Sequence, residues 1–161
     1  MDVVDLIKRD HDEVADLFDH LVVLARDDRH ADETARVACR LVALARIHAR
    51  AEERVVYEAL RSGPLKTFAL AGPHEHENLD TTLDKLLVRR AGDEEYRVIV
   101  KVARDLFEMH ARDEEEAEML PAMREALSVE ELNALGRDML AEQERIRPQI
   151  LRLVGMPARA A

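Results

Sequence analysis

A chain of 161 residues and 18.3 kDa is the size of one domain with a full core. Its 47% apolar and 36% charged residues, with five Gly, five Pro and 3% aromatics, exclude collagen-like, disulfide-rich and low-complexity classes and leave too few turn formers for a sandwich or barrel. A net charge of −10 without a Lys/Arg stripe argues against a nucleic-acid partner, and Cys39, the single cysteine, excludes an internal disulfide or a zinc ribbon. No apolar run approaches the roughly 20 residues that span a bilayer, and the first ten residues lack a signal-peptide core. The expectation is a soluble cytoplasmic protein with no membrane partner. What the composition does not explain is seven histidines.

Periodicity predicts five helices. From Val3 to Ala25 the stripe is Val4, Ile7, His11, Val14, Phe18, Leu21 and Ala25, alternating steps of three and four that define one helical face. A second helix, from about Asp32 to Leu60, carries Val37, Leu41, Leu44, His48, Glu52, Val55 and Ala59. Ser62-Gly63-Pro64 ends it, Leu65 to Ala71 forms a connector, and a third helix from about His74 to Arg90 carries His76, Leu79, Leu83 and Leu86 or Leu87. The fourth, from about Glu94 to Ala126, carries Ile99, Val102, Leu106, His110, Glu114 and Ala117. Ser128 with Glu131 reads as a capping box for a fifth, with Leu132, Leu135, Met139, Gln143, Ile146, Ile150 and Leu153 on one side and a kink or break at Pro148. The tail from Gly155 carries no motif. The fold class expected is all-α: an antiparallel up-down four-helix bundle over residues 1–126, with 127–161 as an additional C-terminal helix and tail packed on the same domain.

Two segments carry the chemistry. His48-Ala49-Arg50-Ala51-Glu52-Glu53 and His110-Ala111-Arg112-Asp113-Glu114-Glu115 differ only at Ala51 against Asp113. Each follows a helix with one in-line histidine, His11 or His76, so the chain reads as two copies of a helix pair. On an α-helix, residues i and i+4 lie about 40° apart and one turn along, so His48 with Glu52, and His110 with Glu114, point inward at adjacent levels. The bundle then gathers four imidazoles and two carboxylates, His11, His48, Glu52, His76, His110 and Glu114. Unpaired buried carboxylates cost several kcal/mol, and two carboxylates among four histidines suit a pair of bridged metal ions. A buried His–Glu network without metal is the alternative reading.

Other residues fall outside this set. His74 is about 160° round the helix from His76 and serves as a fallback ligand, or an extra one if the helix begins late. His20 and His30 read as surface residues. Tyr57 is about 180° from His48 and could ligate only through a distorted helix. Asp10, Asp12 and Glu13 surround His11, and one of them could orient its imidazole. Of the acidic run Asp113 to Glu118, only Glu114 is in register with His110; the rest reads as a solvated face moderated by Arg112 and Arg124.

The pattern His, HxxxE, His, HxxxE over four helices resembles the hemerythrin-like, HHE cation-binding family, across about residues 1 to 125. The resemblance implies a non-haem centre of two iron ions bridged by the carboxylates and by an oxo or hydroxo group, although His and Glu accept manganese and zinc as well. The oxygen-carrying members add a histidine through HxxxH on the third helix and end in HxxxxD; here Asp80 follows His76 at i+4 and the fourth helix reads HxxxE. The function expected is binding or decomposition of a small diatomic or peroxide ligand (hydrogen peroxide, oxygen or nitric oxide), with catalase-like turnover favoured. The alternative is a non-enzymatic iron, oxygen or nitric oxide sensor or an iron-binding module. A monomer or homodimer is expected.

Overall fold

The computed structural model describes residues 1–156, so the last five positions of the predicted tail lie outside the described residues. Five helices account for the chain, with no strand among the described residues. They are α1 (Val3–Leu24), α2 (Ala31–Glu52, continuing through Glu53–Tyr57 and Glu58–Leu60), α3 (Lys66–Val88), α4 (Glu94–Glu108, continuing through Met109–Met119 and Leu120–Ala126) and α5 (Val129–Leu153). Among the described residues no helix is long and apolar enough to cross a membrane.

Short connections make α1 to α4 run antiparallel, α1 beside α2 and α4, and α3 beside α2 and α4, while α5 lies along α1 and α2. Asp2 caps α1 by accepting the Asp5 amide at 3.0 Å, and Ser128 with Glu131 forms the expected capping box of α5. The whole predicted stripe of α1 is buried, each large side chain contributing roughly 1.5–3 kcal/mol by leaving water. α5 approaches closely because residue 136 is glycine: a Cβ there would stand 2.8 Å from the Met1 carbonyl oxygen and 2.9 Å from the Val3 nitrogen. Those are backbone atoms that cannot swing aside.

Three boundaries differ from expectation. The segment read as a connector, Leu65 to Ala71, is nearly all helical, because α3 begins at Lys66 and carries Pro73 inside it. Pro148 does not divide α5, which runs unbroken to Leu153. The third difference matters most. Glu53–Tyr57 and Met109–Met119 are wound as π-helix, with i→i+5 turns that hold one residue more than an α-turn. Both segments begin beside the repeated hexapeptide.

Candidate metal centre

The helices bring His11 from α1, His48 and Glu52 from α2, His76 from α3, and His110 and Glu115 from α4 into the middle of the bundle, all buried. Two groups of three form: His11, His48 and Glu115, and Glu52, His76 and His110, each with its ligand-type atoms within 4.8 Å of one another. His74 is exposed, as are His20 and His30.

Five of the six expected residues meet, and the sixth is exchanged. Glu114, expected in line with His110, turns instead to Glu75. The physical reason is the π-winding of Met109–Met119: the extra residue per turn puts the fifth position after His110, not the fourth, over the imidazole. On α2 the winding changes only after Glu52, so His48 keeps its i+4 partner.

The same winding supplies the distorted helix that Tyr57 needs to face inward. Carried round by Glu53–Tyr57, its ring stacks on His76 at 5.7 Å between centroids, and its hydroxyl donates to Glu115 Oε1 at 2.5 Å. Burial first, then Glu52 and Glu115, hold the phenol well above its ordinary pKa, so it remains a donor. Gly72 makes the space: a Cβ there would lie 2.3 Å from the tyrosine ring.

Each carboxylate spans both groups. Glu52 Oε2 is 3.5 Å from His48 Nε2 and 3.5 Å from His76 Nε2. Glu115 reaches His11 Nε2 with Oε2 at 3.1 Å and His110 Nε2 with Oε1 at 3.7 Å. The outer nitrogens are all engaged by carboxylates, which can only accept: His11 Nδ1 donates to Glu116 at 2.9 Å, His48 to Asp10 at 3.3 Å, His76 to Glu53 at 3.1 Å and His110 to Glu75 at 2.8 Å. Each acid comes from the preceding helix of the bundle, α4 to α1, α1 to α2, α2 to α3 and α3 to α4. Asp10, next to His11 in the chain, thus serves His48, while the acid that orients His11 is Glu116. Sequence reasoning missed Glu53, Glu75 and Glu116, although each adjoins a centre residue.

With the Nδ1 protons so fixed, the four Nε2 atoms turn toward the centre, where each offers a lone pair to a metal once it has lost any proton of its own. His76 and His110 Nε2 stand 2.8 Å apart, a contact that requires a cation between them, a proton or a metal. Beyond the ion-pair contacts just given, His11 Nε2, His48 Nε2, both Glu52 oxygens and Glu115 Oε2 are buried without a hydrogen-bond partner among the described residues. Such atoms cost free energy unless something fills the space they face, and imidazole nitrogens with carboxylate oxygens are the donor set of a first-row transition metal. The residues fit bound metal.

The local charges agree. Burial disfavours an imidazolium at His110, but Glu115, Glu75 and Glu52 outweigh it and lift this group to about 9. His48 is also buried, and Asp10 and Glu52 raise it well above its ordinary value. Burial opposes the Asp10 charge, yet His48, Arg9 and Gln143 hold its carboxyl down at about 2. Burial, then Glu75, push Glu114 up to about 7, while the hydrogen bond from His110 holds Glu75 below its usual range. Above the four imidazoles, on the side away from Glu52 and Tyr57, Val14, Leu79, Leu83 and Phe107 line an apolar recess of about 530 Å³ including its open mouth. Arg46 also lines the recess, paired with Asp80 and Asp84 at 2.5 Å each.

Comparison with known families gives one match: a family described as Hemerythrin HHE cation binding domain, over residues 2–117. No curated protein and no solved structure matches the chain.

Proposed function

Since the chain belongs to the hemerythrin HHE cation-binding family, we propose that it is a non-haem di-iron protein that binds or decomposes small oxidants, with disproportionation of hydrogen peroxide to water and oxygen as its favoured activity. In this reading His11, His48 and Glu115 would hold one ion and Glu52, His76 and His110 the other, each carboxylate lying within reach of both groups. One observation carries it: four buried histidines with Nδ1 tied to carboxylates and Nε2 facing two carboxylates that each span both groups. That division of the imidazole is the arrangement metal-binding histidines adopt almost without exception.

Four histidines and two carboxylates supply fewer donors than two six-coordinate ions accept. Bound iron would supply the electron exchange with the oxidant. The chain's own part is to hold the donors, to keep the Tyr57 proton at Glu115 Oε1, and to offer an apolar approach between Val14, Leu79, Leu83 and Phe107 that suits a small uncharged ligand.

The test is iron content and oxygen evolution. Protein produced with added iron should carry about two irons per chain and release oxygen on addition of peroxide. Absence of metal would remove the di-iron reading; two irons without oxygen release would remove the disproportionation and leave ligand binding or sensing.

A further inference from the structure

We propose that Gln143, on α5, is a positioning residue for the His11/His48 half of the centre, acting through Asp10 on His48; the inference rests on the metal-binding reading above. It gives the fifth helix, which lies wholly beyond the family-matched residues 2–117, a part in the metal site.

Gln143 stands on a stripe of α5 that is otherwise apolar, between Met139 and Ile146, and is 4% exposed. A primary amide so buried costs free energy unless its hydrogen bonds are made. Its Nε2 donates to Asp10 Oδ2 at 2.5 Å. The same oxygen accepts from His48 Nδ1 at 3.3 Å, while Asp10 Oδ1 takes the Arg9 guanidinium at 3.1 and 2.7 Å. The carboxylate is therefore held on both oxygens, and the oxygen that serves His48 is the one that Gln143 fixes.

The other orienting acids are held from within the four-helix bundle: Glu116 by Arg112, Glu53 by Arg50 and Glu75 by Glu114. Among the described residues Asp10 alone takes a hydrogen bond from α5. Its bond to His48 is also the longest of the four imidazole–carboxylate contacts, so it has the most to lose if the acceptor swings. Beside Gln143, Glu142 pairs with Arg54 of the π-wound turn at 2.8 Å, a second polar contact between α5 and the bundle.

Gln143→Met conserves the shape and removes the donor; Asp10→Asn supplies the second arm of a double-mutant cycle. The readouts are cobalt(II) titration of the full-length metal-free chain, thermal midpoints, and the ring ¹⁵N signals of His48 without metal. Gln143→Met should weaken cobalt binding about tenfold at one of two sites, move the ring ¹⁵N signals of His48 as its Nδ1–H loses a fixed acceptor, and add less than about twofold in the Asp10→Asn background. A lowered midpoint with unchanged cobalt affinity and unchanged His48 signals would overturn the proposal, leaving Gln143 a packing residue. If the wild-type chain binds no cobalt, the metal-binding reading fails, and the proposed role at the metal with it. The His48 signals would then report whether Gln143 still acts on the imidazole through Asp10.

Discussion

His-Ala-Arg-Ala-Glu-Glu on α2 and His-Ala-Arg-Asp-Glu-Glu on α4 stand in equivalent places in the two halves of the bundle, yet they are wound differently. On α2 the π-segment opens after the first glutamate, which therefore faces in, and the second orients His76. On α4 it opens before His110, so the first glutamate turns out to Glu75, the second faces in and a third, Glu116, orients His11. One half gains a buried tyrosine from its π-turn, and the other gains an acid pair. Where winding can change by one residue per turn, near-identical motifs do not turn the same residues inward.

The sharpest way to break this contrast is to remove one glutamate at a time from α4. Glu115→Gln should weaken cobalt or iron binding by more than about 100-fold, a ligand counting for at least as much as the groups that support it, whereas Glu114→Gln should change it by less than about threefold. Equal effects, or the reverse order, would mean that α4 is wound as α2 is.

The metal-free protein should titrate unevenly. His110, lifted from about 6.5 to about 9, stabilises the fold fully below pH 6.5 and loses that contribution as pH rises through about 9, a change on the order of 3 kcal/mol. Because its Nε2 must give up a proton to take a metal ion, affinity should rise over the same window. Urea unfolding and cobalt titration across pH 6–10 check both signs. A metal-free protein that gains stability toward pH 9 would show that His110 is neutral in the fold.

Gly72→Ala should cost about 2 kcal/mol by driving the Tyr57 ring out of its place, while Tyr57→Phe should cost about 1 kcal/mol by taking the donor from Glu115. The smallest effect belongs to the lining of the recess. Arg46→Ala should alter stability by about 1 kcal/mol or less, yet speed the entry of azide into the iron-loaded protein, read by stopped-flow absorbance.

Most of this was legible in the residues, for unequal reasons. The α1 stripe of Val4, Ile7, His11, Val14, Phe18 and Leu21 is buried as read, since a regular α-helix obeys its period. On α4 the expected stripe is buried at Ile99 and His110 but not at Val102, Leu106 and Ala117; Tyr96, Val100, Ala103 and Phe107 are buried in their place, and Val102 is 44% exposed. Where two apolar rows share a helix, spacing alone does not choose between them. Within Glu53–Tyr57 and Met109–Met119 the α-period does not apply, so spacing does not bring Val56, Tyr57 and Glu115 inward and puts Glu116 on a solvated face. Arg112 does pair with Glu116, but Arg124 reaches Asp2 and Asp5 at the start of α1. The three missed orienting acids carried a readable sign, since each is a chain neighbour of a residue that faces inward.

The handing of each imidazole to an acid on the preceding helix has a mechanical consequence. The four contacts close a circuit, so sliding any one of these helices along the bundle axis breaks a bond at its histidine and another at its acid. Axial stagger is thereby indexed by four polar contacts, which apolar stripes of repeating period would leave free to slip by a turn. Amides around His11, His48, His76 and His110 should therefore exchange with solvent together, as one opening unit, and later than those at the far ends of the same helices.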